Sequence, residues 1–266
     1  MSLAGAKNRK ITVISNLENL SIAAAEKFVE LANAKGKNGY TFSVALAGGS
    51  TPKRLYELLA DEKEPYRSAV NWRNINFFWS DERCVPPDSE ESNFRMANEI
   101  LFKPLGISST KIHRLKGELD PKTAAADYEG FLRLIFNTSN NVPQFDLILL
   151  GMGSDGHTAS LFPHTDVFHE NGNLVTSPFV EQLGKFRLTL TPAMINRAEN
   201  IIFLVAGADK SSALFEVLEG NNNPETFPAQ IVNQASGNVF WFLDESAAKS
   251  LTLNRTYENF TGHFRC

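Results

Sequence analysis

The residues best placed to do chemistry lie in a glycine-rich stretch that directly follows an apolar run at 145–150. The stretch reads Gly-Met-Gly-Ser-Asp-Gly-His and carries Asp155 and His157 two positions apart. An imidazole titrates near neutral pH, so a histidine beside a carboxylate is suited to accept and return a proton. The pattern predicts a catalytic loop at a strand end. A polar turn in which His157 caps a backbone group is the simpler alternative.

A second candidate is a Gly-Gly-Ser-Thr segment between an apolar run at 42–47 and a helical pattern. Glycine lets the backbone approach a ligand closely, and a helix N-terminus offers N–H groups to phosphate. Thr51, directly before Pro52, is predicted to be the N-cap. A turn of this kind is also common without any ligand, and it matches neither a Walker loop nor a dinucleotide fingerprint. The predicted phosphate site comprises Gly48, Gly49, Ser50 and Thr51.

Charged residues follow the apolar run at 75–80, where the chain reads Ser-Asp-Glu-Arg. In that position Arg83 could polarise a carbonyl group or stabilise an oxyanion, and Asp81 could orient a hydroxyl group. A solvated strand end with a local salt bridge is the alternative. Asn93 and Arg95 are further candidates for the same crevice, and Arg187 and Lys210 are candidate phosphate ligands, although each cation alone is also typical of an ordinary surface.

Short apolar runs alternate with helical patterns along the whole chain. Most runs are continuously apolar, which is typical of parallel strands covered on both faces. The alternation predicts an α/β fold, a three-layer sandwich with a mostly parallel, Rossmann-like central sheet. The predicted strands are 11–15, 42–47, 75–80, 145–150, 186–190, 201–206 and 239–243, and the predicted helices are 17–34, 52–59, 92–102, 123–135 and 210–218.

Length and composition restrict the class of protein. The 266 residues suit a single domain with its core at about 11–249, and the segment 250–266 is predicted to be a loosely held tail. No stretch reads as a signal peptide or a membrane span, so a cytoplasmic protein is expected. With 26 basic and 30 acidic side chains, nucleic acid is not an expected partner. The two cysteines are far apart, and no metal site or cofactor is predicted.

Five motifs occur in order along the chain. They are Ala-Leu-Ala-Gly-Gly-Ser-Thr-Pro from residue 45, Ser-Asp-Glu-Arg from 80, Gly-Met-Gly-Ser-Asp-Gly-His-Thr-Ala-Ser-Leu-Phe-Pro from 151, Arg-Leu-Thr-Leu-Thr-Pro from 187 and Gly-Ala-Asp-Lys from 207. Together they resemble the 6-phosphogluconolactonase family. The resemblance covers about 11–243, nearly the whole chain. It implies hydrolysis of 6-phospho-D-glucono-1,5-lactone, the second step of the oxidative pentose phosphate pathway, on a small-molecule substrate by a monomer or weak homo-oligomer.

The resemblance also implies a role for each candidate residue. His157 would be the general base that activates water, and Asp155 would shape the loop and hold the imidazole. Arg83 would polarise the lactone carbonyl, with Asp81 orienting the substrate or Arg83. The phosphate group would be bound by Gly48, Gly49, Ser50, Thr51, Arg187 and Lys210.

Two other functions remain open for this chain. The same superfamily includes glucosamine-6-phosphate deaminases, but the chain has Arg83 where deaminases typically carry an aromatic residue, and Thr-Ala-Ser-Leu-Phe-Pro follows His157 in place of the deaminase continuation with its asparagine and glutamate. A catalytically silent sugar-phosphate sensor would be expected to carry a helix-turn-helix, whereas a predicted strand begins at Ile11. The lactonase is the favoured prediction.

Overall fold

A computed structural model describes residues 8–169, 172–252 and 256–257, and strands form its centre. The strands of the described residues are β1 (Asn8–Ile14), β2 (Phe42–Leu46), β3 (Ile75–Trp79), β4 (Asp81–Arg83), β5 (Leu147–Leu150), β6 (Val175–Thr176), β7 (Phe179–Val180), β8 (Lys185–Leu190), β9 (Asn200–Val205), β10 (Asn238–Asp244) and β11 (Thr256–Tyr257). Seven of them form one parallel sheet in the order β11-β1-β10-β9-β5-β2-β3.

Helices flank this sheet and connect its parallel strands. They are α1 (Leu17–Lys37), α2 (Ser50–Ala60), α3 (Pro65–Ala69), α4 (Asn93–Ala97), α5 (Lys103–Leu105), α6 (Pro121–Ile135), α7 (Pro192–Asn196) and α8 (Ser211–Glu219). A π-helical turn at Asn98–Phe102 joins α4 to α5. Each predicted helix is present in the described chain, and the Asp120 carboxylate caps α6 by accepting a hydrogen bond from Thr123 N–H.

The central strands are apolar along their length because both of their faces are covered. Every residue of β2, β5 and β9 is buried, and the Trp241 ring of β10 stacks on Phe203 of β9 with ring centroids 3.8 Å apart. The predicted α/β sandwich with a mostly parallel central sheet is therefore confirmed. In a parallel sheet the carboxyl ends of the strands lie at one edge, and the loops that leave them share that edge.

The predicted strand at 186–190 is present, but it does not belong to the parallel sheet. This segment belongs to β8, which pairs antiparallel with β4, β6 and β7 in a separate small sheet. The first half of β8 carries exposed or half-buried side chains, including Lys185 and Phe186, and only its second half is buried. An apolar run does not report the direction of its partner, so the sequence could not separate the two sheets.

Two further details differ from the sequence-based expectation. The helix α2 begins at Ser50 and its N-cap is Gly49, so Thr51 lies inside the first turn and is not the N-cap. The described part of the segment 250–266 is bound to the fold, because Ser250 N–H donates to Ser211 Oγ at 3.1 Å and β11 pairs with β1. The remaining residues of that segment lie outside the described residues.

A buried carboxylate ties two strands together at the amino edge of the sheet. Asp146 Oδ2 accepts hydrogen bonds from Ser43 N–H and Ser43 Oγ, each at 2.7 Å, and Lys35 Nζ lies 2.5 Å from Asp146 Oδ1. The hydrogen bond to Asp146 raises the pKa of Lys35. Because Asp146 precedes β5, this network lies at the opposite edge from the loops that carry the candidate residues.

Candidate active site

A cavity of about 420 Å³ lies at the carboxyl edge of the sheet. The loops after β2, β3, β5 and β9 converge on it, as is typical for ligand crevices in open α/β sheets. The structure thereby brings together residues that are far apart in sequence. The predicted residues in the lining are Gly48, Gly49, Ser50, Thr51, Asp81, Arg83, His157 and Lys210, whereas Asp155 and Arg187 lie outside it.

His157 is held by Asp155 within the loop that follows β5. Its Nδ1 atom lies 2.6 Å from Asp155 Oδ1, and the same oxygen accepts the His157 backbone N–H at 3.1 Å. A carboxylate at this distance assigns the proton to Nδ1 and leaves Nε2 as the basic nitrogen. The Phe162 ring stacks on the other side of the imidazole, with centroids 4.2 Å apart. Asp155 thus acts on the cavity through His157.

The Asp155 carboxylate is adapted to this contact. Burial alone would raise the pKa of Asp155, but the hydrogen bonds and charge of His157 outweigh it, and the pKa of Asp155 is lowered. Asp155 therefore remains ionised at neutral pH and can stabilise a positive charge on the imidazole.

Two glycines give the loop its shape. Gly156 adopts a φ of +80°, a conformation that side chains other than glycine rarely take. Position 153 requires glycine because there is no room for a side chain. An added Cβ would lie 2.1 Å from His157 Nδ1 and 2.6 Å from Asp155 Oδ1. The backbone also closes the loop, with Gly153 N–H donating to His157 O at 2.9 Å. The sequence-predicted loop is therefore shaped around its imidazole.

Replacing Gly153 by alanine should displace the imidazole without unfolding the protein. We expect kcat/KM for the catalysed reaction to fall about 10²-fold, the effect of misplacing a catalytic group by about 1 Å. Gly130→Ala is the matched control, because an added Cβ there meets nothing within 4 Å. Steady-state kinetics and thermal unfolding of both variants test this, and full activity in Gly153→Ala would contradict it.

The strand β4 presents its residues alternately to two sides. Asp81 and Arg83 line the cavity, whereas Glu82 between them faces α4. Asp81 is only 7% exposed, and its Oδ2 atom accepts a hydrogen bond from Ser160 Oγ at 2.7 Å. Arg83 Nη1 donates to Glu91 O at 2.5 Å. A guanidinium has five N–H donors, so this bond anchors the head group while other donors can serve a ligand.

Glu82 is a structural residue that sequence reasoning missed. Its buried carboxylate accepts backbone N–H groups of Arg83, Asn93 and Phe94, each at 2.8 Å, and Ser92 Oγ at 3.1 Å. Burial raises the pKa of Glu82, and the three backbone N–H groups oppose that rise. The carboxylate fixes the start of α4 against β4. Its position in a strand between two cavity residues was the feature of the sequence that could have identified it.

Asn93 lies between the predicted phosphate loop and Asp81. It is 2% exposed, and its Nδ2 atom donates to Asp81 O at 3.0 Å. A Cβ added to Gly48 would lie 1.9 Å from Asn93 Oδ1, so the close approach of the two segments requires glycine at 48. Arg95 does not reach the cavity, because its guanidinium bonds Glu99 at 2.9 Å and Asp88 O at 3.0 Å.

The first turn of α2 forms the second wall of the cavity. Gly49 has a φ of +97°, which directs the chain into the helix at Ser50, and the first N–H groups and positive dipole end of α2 face the predicted phosphate position. Lys210 lies across the cavity in a 3-10 turn, with its Nζ atom 2.6 Å from Asp209 Oδ2. The start of α2 and Lys210 therefore line the same cavity.

Arg187 is placed differently from the other predicted phosphate ligands. It lies directly opposite Arg83 in the β4–β8 ladder, and its Nη1 atom donates to Phe186 O at 3.1 Å. Burial lowers the pKa of Arg187, and the charge of Arg83 lowers it further. Its guanidinium is therefore a neighbour of the cavity, positioned to contribute charge to it.

Sheet and cavity together define an α/β enzyme that holds a small molecule at the carboxyl edge of a parallel sheet. A family model described as glucosamine-6-phosphate isomerases/6-phosphogluconolactonase matches residues 15–241. The chain therefore belongs to this family. No helix among residues 8–169, 172–252 and 256–257 is long and apolar enough to cross a membrane.

Several similar proteins carry the name 6-phosphogluconolactonase. The protein of that name from Synechocystis sp. is 42% identical over 211 residues, which cover 79% of this chain and 84% of the relative. The one from Haemophilus influenzae is 38% identical over 208 residues, covering 78% and 87%. A solved structure of 6-phosphogluconolactonase from Trypanosoma brucei matches with a TM-score of 0.82 at 33% identity, covering 92% of this chain and 99% of the other. The predicted resemblance is confirmed.

Proposed function

We propose that this protein hydrolyses 6-phospho-D-glucono-1,5-lactone to 6-phospho-D-gluconate, the second step of the oxidative pentose phosphate pathway. One observation carries the proposal. The imidazole of His157, hydrogen-bonded to Asp155 at 2.6 Å, faces the same cavity as Arg83 and the glycine-rich start of α2. A base, a cation for a carbonyl oxygen and an anion site are what hydrolysis of a phosphorylated lactone requires. The names of the relatives support the same substrate.

In the proposed reaction, His157 Nε2 removes a proton from a water molecule as the water oxygen attacks the lactone carbonyl carbon. The carbonyl oxygen becomes an oxyanion, which Arg83 stabilises. The carbonyl re-forms as the bond from C1 to the ring oxygen breaks, and the imidazolium returns its proton to the ring oxygen. Asp155 keeps the imidazole oriented and offsets its transient positive charge. Water is consumed, and no covalent enzyme intermediate is formed.

The phosphate group fixes the ring for this attack. Bound by the first turn of α2 and by Lys210, with Arg187 adding charge, it would hold the carbonyl carbon between His157 and Arg83. Asp81 would accept a hydrogen bond from a sugar hydroxyl while Ser160 Oγ keeps its carboxylate in place at 2.7 Å. Binding energy from the phosphate would in this way be used for catalysis at the other end of the substrate.

The test is hydrolysis of freshly generated 6-phosphogluconolactone, measured as acid release above the spontaneous rate. Glucosamine-6-phosphate is the comparison substrate, with ammonia release as its readout. Rapid lactone opening without ammonia release is expected. Ammonia release from glucosamine-6-phosphate together with an uncatalysed rate on the lactone would overturn the proposal in favour of a deaminase. Binding of both compounds without turnover would instead indicate a sensor.

Lys210→Ala should weaken substrate binding much more than it slows the chemical step. Removing one charge-assisted contact to phosphate costs about 1.5–3 kcal/mol, which corresponds to a rise of roughly 10- to 100-fold in KM. Steady-state kinetics on the lactone and the inhibition constant of 6-phosphogluconate provide the measurement. Lys249→Ala is the control, because Lys249 does not line the cavity. A fall in kcat at unchanged KM would assign Lys210 to the chemistry.

A further inference from the structure

The turn that carries Lys210 is held in place by the segment that follows β10. This turn, Ala208–Lys210, is short, and its ammonium group would be free to move if the turn were not anchored. Asp244, the last residue of β10, is 8% exposed. Each of its two carboxylate oxygens lies 3.1 Å from Gly207 N, and Oδ1 also accepts the N–H of Ala247 at 2.7 Å. Asp244 therefore joins the exits of two neighbouring strands.

A second contact braces the other side of the same turn. Ser211, which follows Lys210 directly, donates from its hydroxyl group to Ser250 Oγ at 2.8 Å, and Ser250 N–H donates back to Ser211 Oγ at 3.1 Å. The residues on either side of the Lys210 turn are thus both bonded to the segment 244–250. Gly207 adopts a φ of +107°, and an added Cβ there would lie 2.7 Å from Asp209 Oδ1.

We propose that Asp244 is a positioning residue for substrate binding, which acts by holding the Gly207 N–H so that the turn presents Lys210 to the phosphate group. The inference rests on the proposed function and adds to it a residue that does not line the cavity. It assigns to Asp244 an effect on binding and none on the proton transfers at His157. A hydrogen bond from a backbone N–H to a buried carboxylate is among the stronger ones in a protein, which suits this anchoring role.

Electrostatics and positioning predict opposite results for Asp244→Asn. Removing a negative charge near the phosphate site would by itself strengthen the binding of a phosphate dianion. Asparagine keeps the shape of the side chain, and its remaining oxygen can still accept the Ala247 N–H. Its amide nitrogen, however, replaces Oδ2 and places a donor against the Gly207 N–H. Only the oxygen that also accepts the Ala247 N–H then remains for Gly207, so the turn is held less firmly. A positioning role therefore predicts weaker binding in spite of the favourable change in charge.

The experiment is a double-mutant cycle between Asp244→Asn and Lys210→Ala. For each variant, the dissociation constant of 6-phosphogluconate and the kcat and KM for the lactone are measured. We expect Asp244→Asn alone to raise KM and the dissociation constant about 3- to 10-fold with kcat nearly unchanged. On the Lys210→Ala background the same change should have almost no further effect, because the group it positions is gone.

Asp146→Asn is the matched control, since Asp146 is a buried carboxylate that also accepts a backbone N–H, at the opposite edge of the sheet. It should lower thermal stability while KM stays at the wild-type value. Gly207→Ala perturbs the same turn at the residue that donates the hydrogen bond, and it should show the same rise in KM. It provides a second test of the proposal if Asp244→Asn folds poorly.

Each result decides the proposal. Tighter or unchanged binding in Asp244→Asn, or an equal loss on both backgrounds, would overturn it while leaving the lactonase function intact. Failure of the wild-type protein to bind 6-phosphogluconate or to open the lactone would instead remove the proposed function, and the role of Asp244 with it.

Discussion

His157→Ala is expected to lower kcat for lactone opening by about 10²–10⁴-fold, the usual contribution of a positioned general base. The affinity for 6-phosphogluconate should remain close to that of the wild type, because the substitution leaves the proposed phosphate site at the first turn of α2 and Lys210 unchanged. The size of the effect follows from the geometry. Among the described residues of the cavity lining, His157 is the one that supplies an imidazole. Its Nδ1 atom lies 2.6 Å from Asp155 Oδ1.

The measurement compares catalysed lactone opening with the spontaneous rate in the same buffer, and it includes His169→Ala as the control. The His169 side chain is 70% exposed and outside the cavity lining, so its removal should change neither kcat nor KM. A His157→Ala enzyme with wild-type kcat would remove His157 from the reaction. If the affinity for 6-phosphogluconate fell by as large a factor as kcat, His157 would be a binding residue.

Arg83→Gln is expected to lower kcat by about 10²–10³-fold, the cost of removing one donor to a developing oxyanion. KM should change less, since the lactone carbonyl carries little charge before attack. Arg83→Lys should recover part of the loss, because an ammonium group keeps the charge but lacks the planar fork of the guanidinium. Glutamine retains most of the aliphatic stem and has a polar end group, so the fold of β4 should survive the change.

Arg95→Gln is a closely matched control for Arg83. Both guanidinium groups bond a carbonyl oxygen of the loop between β4 and α4, Arg83 at Glu91 and Arg95 at Asp88. Only Arg83 lines the cavity. If kcat fell equally in both variants, the loop conformation and not the oxyanion contact would explain the loss. If Arg83→Gln raised KM alone, Arg83 would belong to the phosphate site.

Much of the fold could be predicted from the sequence because the signals were local. Continuous apolar runs such as 42–47 and 201–206 report strands covered on both faces, and caps such as Asp120 before Pro121 report helix starts. The cavity residues followed from the same rule, since polar residues directly after such runs meet at the carboxyl edge of the sheet. Asp81, His157 and Lys210 were found in this way.

The rest depends on contacts between distant segments. The antiparallel pairing of β8 is not encoded in its own apolar run, and the hydrogen bond from Asn93 to Asp81 O joins the first residue of α4 to β4. Asp244 was not singled out because it ends a strand without any motif around it. Its function appears only when the exits of β9 and β10 are placed side by side.

The alternation along β4 implies that a change in the length of this segment would disturb several side chains at once, whereas a substitution alters one. Asp81, Glu82 and Arg83 pair with Thr189, Leu188 and Arg187, so each occupies a fixed rung of the ladder. One residue inserted between Ser80 and Asp81 would shift the strand by one position, turn Glu82 into the cavity and direct Asp81 and Arg83 toward α4. Length variation among natural relatives should therefore accumulate in the loop at 84–91, where added residues leave the rungs unchanged.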